Sequence, residues 1–163
     1  MNYPARFLLA VSLSVASGWG QFRVSIDLTS GGVTKNLFES AIRKELRSLK
    51  DVSISDESPT HRLRLLIYET QSRSGPDAGY ALAYVFLSIF KVDLLPLLKG
   101  GADNKEKFRN SAIGSMFSVK ETIDSFGMRH FGMNEVRTAC EALVADFDSL
   151  SLEPSRKLNE LVK

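Results

Sequence analysis

The spacing of apolar positions changes several times along the chain, and each change marks an element. Phe22, Val24, Ile26 and Leu28 alternate with Arg23, Ser25 and Asp27, the period of a strand with one buried face. After the Thr29-Ser30-Gly31-Gly32 turn the period lengthens. Leu37, Phe38, Ala41, Ile42, Leu46 and Leu49 fall on one side of a helix, with Arg43, Lys44, Arg47 and Lys50 on the other. Asn36 and Glu39 have the spacing of a capping pair, and Thr34 is the alternative start. Val52 and Ile54 fit a short edge strand within the polar connection 51–59. His61, Leu63, Leu65 and Ile67 alternate with Arg62, Arg64, Leu66 and Tyr68, which predicts a second half-buried strand. Residues 70–79, rich in Ser, Gly and Pro, read as a hairpin loop, and the apolar stretch 80–90 reads as a central strand.

Residues 91–111, with Pro96 among leucines and Gly100-Gly101 before a charged stretch, read as an insertion. Alternation at Ile113, Ser115, Phe117 and Val119 predicts a strand running to about Ile123, and 124–132 a turn with a short returning strand. Asn134 then caps a helix whose stripe is Val136, Ala139, Cys140, Leu143, Val144 and Phe147. Pro154, Leu158, Leu161 and Val162 outline a lesser terminal helix within 151–163. The order strand, helix, strands, helix predicts an α+β fold: a two-layer sandwich with a mostly antiparallel sheet and two principal helices on one face. Residues 21–150 form its single domain.

The first twenty residues follow none of these patterns. Arg6, an apolar run over residues 7–16 and the small-residue exit Ala16-Ser17-Gly18 are the parts of an export signal. The run is too short to span a bilayer, which takes about 20 residues. The only cysteine is Cys140, so no lipid-attachment cysteine follows the signal and no internal disulfide can form. An exported domain held by packing alone is thus expected, outside the cytoplasm and with no transmembrane span after cleavage. Hydrophobic content of 44% and charged content of 25% are ordinary globular values. A formal net charge of +2 argues against a nucleic-acid partner, which usually selects a strong basic excess.

Catalytic patterns are lacking. His61, His130 and Cys140 are the whole supply of soft metal ligands and are far apart in sequence, so no metal site is expected. His61 falls on the apolar phase of a strand end, which suits a packed or capping histidine. Gly114-Ser115 lacks the second glycine of a nucleophile elbow. Neither Gly31-Gly32 nor Gly100-Gly101 has the lysine of a phosphate loop, and Asp146 and Asp148 point different ways from a helix. These absences predict a protein that is not an enzyme and carries no cofactor. One feature suggests binding. In 80–90 one phase carries Tyr80, Leu82, Tyr84, Phe86 and Phe90, and the other Ala81, Ala83, Val85, Leu87 and Ile89. Placing the small residues beneath the helices leaves Tyr80, Tyr84 and Phe86 on an open face beside Tyr68, Arg62 and Arg64, as a partner-binding strip. The competing arrangement has 91–111 folding back over that strip.

The strand and helix over 22–50, with Glu39, Ser40, Ala41, Ile42, Arg43, Lys44, Glu45 and Leu46 in the helix, resemble the opening of certain bacterial envelope domains. These are the N-terminal domain of the Tol-system translocation protein, the lipopolysaccharide-assembly lipoprotein and auxiliary components of envelope transporters. The resemblance is one of topology over about 22–147. It implies a periplasmic or secreted adaptor whose partner is another envelope protein or envelope component. A small-molecule or lipid binder is the alternative, with a secreted hydrolase third.

Overall fold

The computed structural model describes residues 22–72, 75–91, 106–107, 110 and 119–161. The expected signal at 1–20, nearly all of the 91–111 insertion and the strand start at Ile113 lie outside them. The strands are β1 (Phe22–Thr29), β2 (Val52–Ile54), β3 (His61–Ser72), β4 (Gly75–Lys91) and β5 (Val119–Gly132). Helix α1 (Gly32–Ser48) joins β1 to β2. A 3-10 turn (Met133–Glu135) leads into α2 (Val136–Phe147), and a wide turn (Asp148–Leu152) continues it into α3 (Glu153–Leu161).

The strands make one mixed sheet in the order β2-β1-β3-β4-β5. Its long ladders, β3 with β4 and β4 with β5, are antiparallel, whereas β1 runs parallel to both β2 and β3. Alternation in a single strand does not encode the direction of its neighbours, so the parallel end was not visible in the pattern. β2 ends beside Val24, and β3 begins beside the same residue on the other side of β1. Residues 55–60 make that crossing. The Ser55 N–H donates to the Val24 carbonyl at 3.0 Å and the Thr60 N–H to the Arg23 carbonyl at 2.8 Å, tying down both ends. Ser58, with φ at 47°, supplies the left-handed step of the turn.

Residues 70–79, expected as a hairpin loop, and 124–132, expected as a turn with a short returning strand, both join long strands. Thr70 pairs with Gly79 and Ser72 with Gly75, so the hairpin continues as ladder almost to its tip. Residues 124–132 belong to β5 throughout, opposite residues 79–86 of β4. Local composition lost to pairing in both places, because a long partner strand satisfies the backbone whatever the side-chain propensities. Gly127 shows how: a Cβ there would lie 2.5 Å from the Tyr84 hydroxyl oxygen, so the glycine seats the ring opposite it.

The helices cover one face. Phe38, Ile42 and Leu46 of α1 and Cys140, Leu143, Val144 and Phe147 of α2 pack on Val24 and Leu28 of β1, Leu63, Leu65 and Ile67 of β3, and Leu82 and Phe86 of β4. Each fully buried side chain of this size contributes about 1.5–3 kcal/mol. The helix starts differ from the expected caps. α1 begins after Gly31 without a side-chain cap, and the Thr34 hydroxyl donates to the Glu69 carboxylate. Ahead of α2, Glu135 accepts from the Gly132 N–H at 2.7 Å, in the place expected of Asn134. Ion pairs lock the layers together: Arg129 of β5 meets Asp146 of α2, and Arg156 of α3 meets Asp51 at 2.6 Å and Asp148 at 2.6 Å.

Candidate functional site: the uncovered face of the sheet

The strand registers define what the second face of the sheet carries. From β1 to β5 its rows read Ser25, Arg62, Leu87 and Ile123; then Asp27, Arg64, Val85 and Phe126; then Thr29, Leu66, Ala83 and Met128; and last Tyr68, Ala81 and His130. Charge sits at one end. Arg62 lies between Ser25 and Leu87, donates to the Ser25 hydroxyl at 3.2 Å and pairs with Glu121, while Arg64 pairs with Asp27 at 3.4 Å. This strap closes over Ser25 and Leu87, both buried. Beyond it the face is apolar and, among the described residues, open. Phe126 and Met128 are each 76% exposed, Tyr68 is 62% exposed, and Ile123 and Leu66 are also exposed.

The face assignment expected from 80–90 is reversed. Tyr80 and Phe86 are core residues and Tyr84 packs against the core, because their phase pairs with Glu69, Leu63 and Leu65 on the helix side. Phe86 stacks on Tyr84 with ring centroids 4.8 Å apart and meets Phe147 edge-on at 5.2 Å. The helices stand off a large-residue phase, and the small residues Ala81 and Ala83 floor the open side. Tyr68, Arg62 and Arg64 do lie on the open face; Tyr80, Tyr84 and Phe86 do not. The residues that dominate it, Phe126 and Met128, fall in 124–132, where the sequence predicts a turn with a short returning strand. A bulge makes the difference. The register between β4 and β5 slips between Phe86 and Leu87, leaving Asp124 as an extra residue, so the phase of Ile123 does not carry through to Phe126.

The densest polar chemistry is buried on the helix side at the end of β3. His61, 3% exposed, has Nε2 at 3.1 Å from the Ser155 hydroxyl and Nδ1 at 3.1 Å from the Thr60 hydroxyl. Its ring lies edge-on between Phe22 and Phe147. Burial pushes its pKa down to about 4, opposed by the negative charge of Asp124. Asp124 itself accepts from the Ser88 hydroxyl at 2.7 Å. A serine beside a histidine invites comparison with a nucleophile and its base. Here the Ser155 hydroxyl donates to the Ser151 carbonyl at 3.0 Å within its own helix, and the imidazole is enclosed by two aromatic rings. The arrangement clamps α3 to β3, in keeping with the packed histidine expected from the pattern.

α3 is seated by its polar side. Ser155 and Arg156 face the protein, and the Arg156 guanidinium also lies 5.8 Å from the Phe22 ring centroid. The opposite side carries Leu150, Pro154, Leu158 and Leu161, all exposed, with Leu158 at 51% and Leu161 at 84%. Among the described residues no group of three or more His, Cys, Asp or Glu is placed to hold a metal ion. No helix among them is long and apolar enough to cross a membrane.

No protein-family profile matches the chain, and no curated protein matches it either. Among solved structures, it is similar to the PelC dodecamer from Paraburkholderia phytofirmans, with a TM-score of 0.39 and 12% identity over 79% of this chain and 85% of that one. It is also similar to the hypothetical protein CT253 from Chlamydia trachomatis, with a TM-score of 0.37 and 8% identity over 87% of this chain and 94% of that one. Likeness at this level carries no argument about what the protein does.

Proposed function

We propose that the protein is an exported, non-catalytic interaction module of the cell envelope, an adaptor that docks through the uncovered face of its sheet. The observation that supports this is the cluster of exposed Phe126, Met128, Tyr68, Ile123 and Leu66 on one side of a two-layer fold. Soluble monomers seldom expose contiguous apolar patches of more than a few hundred Å² unless a partner uses them. These five side chains present on the order of 500 Å², taking large side chains at about 150–250 Å² each. The adjacent charges, Arg62 and Arg64 with Glu121 and Asp27, already neutralise one another, which suits an apolar protein surface better than a polyanion.

The test is cross-linking of the protein in its own host, followed by mass spectrometry of captured proteins and extractable lipids, with Phe126→Glu as the comparison. A recurrent envelope protein captured by the wild type and lost in Phe126→Glu supports the reading. Equal capture by both chains refutes the face as the docking surface. A lipid carried without any protein partner would replace the adaptor with a carrier.

A further inference from the structure

The open face has a shape as well as a polarity. Ala81 and Ala83 on β4 form a low floor, with Leu66 and Tyr68 of β3 along one side and Phe126 and Met128 of β5 along the other. β3 and β5 are two strand spacings apart, about 9.6 Å. The result is a shallow apolar trough close to the 10–12 Å diameter of an α-helix.

The same molecule carries an exposed apolar helix stripe on which none of the described residues packs. Leu150 of the wide turn and Pro154, Leu158 and Leu161 of the terminal helix follow one another at helical spacing on its outer side, while Ser155 and Arg156 hold the inner side to His61 and Asp51. The stripe is about 16 Å long at 1.5 Å per residue. The open trough floor extends along β4 from Ala81 to Val85, short of the Leu87 that Arg62 covers, and four steps at about 3.3 Å give about 13 Å.

Resting on the reading of the open face as a docking surface, we infer that its occupant is a second copy of this chain, which lays the Leu150, Pro154, Leu158 and Leu161 stripe of α3 into the trough. Three observations favour this occupant. The widths match, and the part of the stripe on α3, about 10 Å from Pro154 to Leu161, fits within the open floor. Both surfaces are apolar and exposed on the same chain. The charges beside the trough are already paired, so a neutral stripe leaves no ion unmatched. Because stripe and trough are different surfaces, the contact is head-to-tail, and each added copy presents a fresh stripe and a fresh trough. One such contact buries on the order of 1,000 Å² in total, near the low end for specific interfaces, so assembly should grow with concentration.

The experiment uses the chain expressed from Met1 and purified as the cell delivers it, studied by sedimentation velocity at the highest soluble concentration. The wild type is compared with Met128→Glu, which charges the trough, with Leu158→Glu, which charges the stripe, and with an equal mixture of the two. Both positions are at least half exposed, and circular dichroism checks that each variant keeps the wild-type fold. The expected result is an assembly larger than a pair for the wild type and a monomer for each variant. The mixture should give a one-to-one pair and nothing larger, since only one intact stripe and one intact trough then meet. A monomeric wild type overturns the second copy as occupant while leaving the docking surface to the capture experiment. Assembly lost in Met128→Glu but kept in Leu158→Glu overturns the stripe in favour of face-to-face pairing. Assembly kept in both variants overturns the docking face as well.

Discussion

His61 makes stability depend on pH between its folded and unfolded pKa values. Its ring is 3% exposed, enclosed by Phe22 and Phe147, and burial lowers its pKa to about 4 against an ordinary 6.5. Asp124 is the opposing charge and Arg156 adds to the lowering. The unfolded chain takes up a proton near pH 6.5 and the folded chain only near pH 4, so between these values the unfolded state binds more protons. Stability is therefore full above the unfolded value and is lost as pH falls toward the folded one. At about 1.36 kcal/mol per unit, the whole gap is worth on the order of 3 kcal/mol, and roughly 2 kcal/mol of it is spent between pH 7 and pH 4.5. For a domain of this size that is a fall of roughly 5–10 °C in melting temperature. Urea unfolding of the wild type and of His61→Asn across that range provides the assay. The variant starts lower because it gives up the aromatic contacts, but its slope lacks the histidine. Asp51, held below the ordinary carboxylate value by its hydrogen bond from Arg156, gives up its contribution only at lower pH and is common to both chains. Parallel pH profiles for the two proteins would refute the account of a neutral, desolvated imidazole.

The reversed sheet faces give a direct contrast. Phe86→Ala empties a fully buried site between Tyr84 and Phe147 and should cost about 3–5 kcal/mol. Phe126→Ala, measured in dilute solution, should stay within about 0.5 kcal/mol; similar costs in denaturant titrations would show that the faces are misassigned. Cys140 is 1% exposed with its thiol pushed up to about 12 by burial, so a thiol-reactive dye should label it only as the protein unfolds. Prompt labelling of the folded protein would contradict its place on the buried side of α2.

What could be read in advance was whatever depended on one segment alone. The alternation at 22–28 and 61–68 and the stripe of Val136 to Phe147 each arise from burial against a single surface, and the structure shows a strand, a strand and a helix there. The α+β class followed from their order. Features that depend on a partner strand were not legible. Which phase of β4 meets the helices depends on its pairing with β3, and both phases of 80–90 are apolar enough to be buried. The reason for Gly127, the Tyr84 ring that a Cβ there would meet, lies on another strand. The open face was hidden for the same cause: the bulge at Asp124 separates Ile123 from Phe126 in phase while pairing with β4 keeps them on one side.

The turn between α2 and α3 fixes which side of the terminal helix meets solvent. There the Glu153 N–H reaches back five residues to the Asp148 carbonyl, one more than in an α-helix. Forcing ordinary α winding on the same residues of Asp148–Leu152 would turn everything beyond them by about 100°. Leu158 and Leu161 would swing toward the sheet, and Arg156 would leave Asp51. The wide winding of this turn, and not the helix beyond it, is thus what keeps the leucines of α3 outward and sets Arg156 on Asp51.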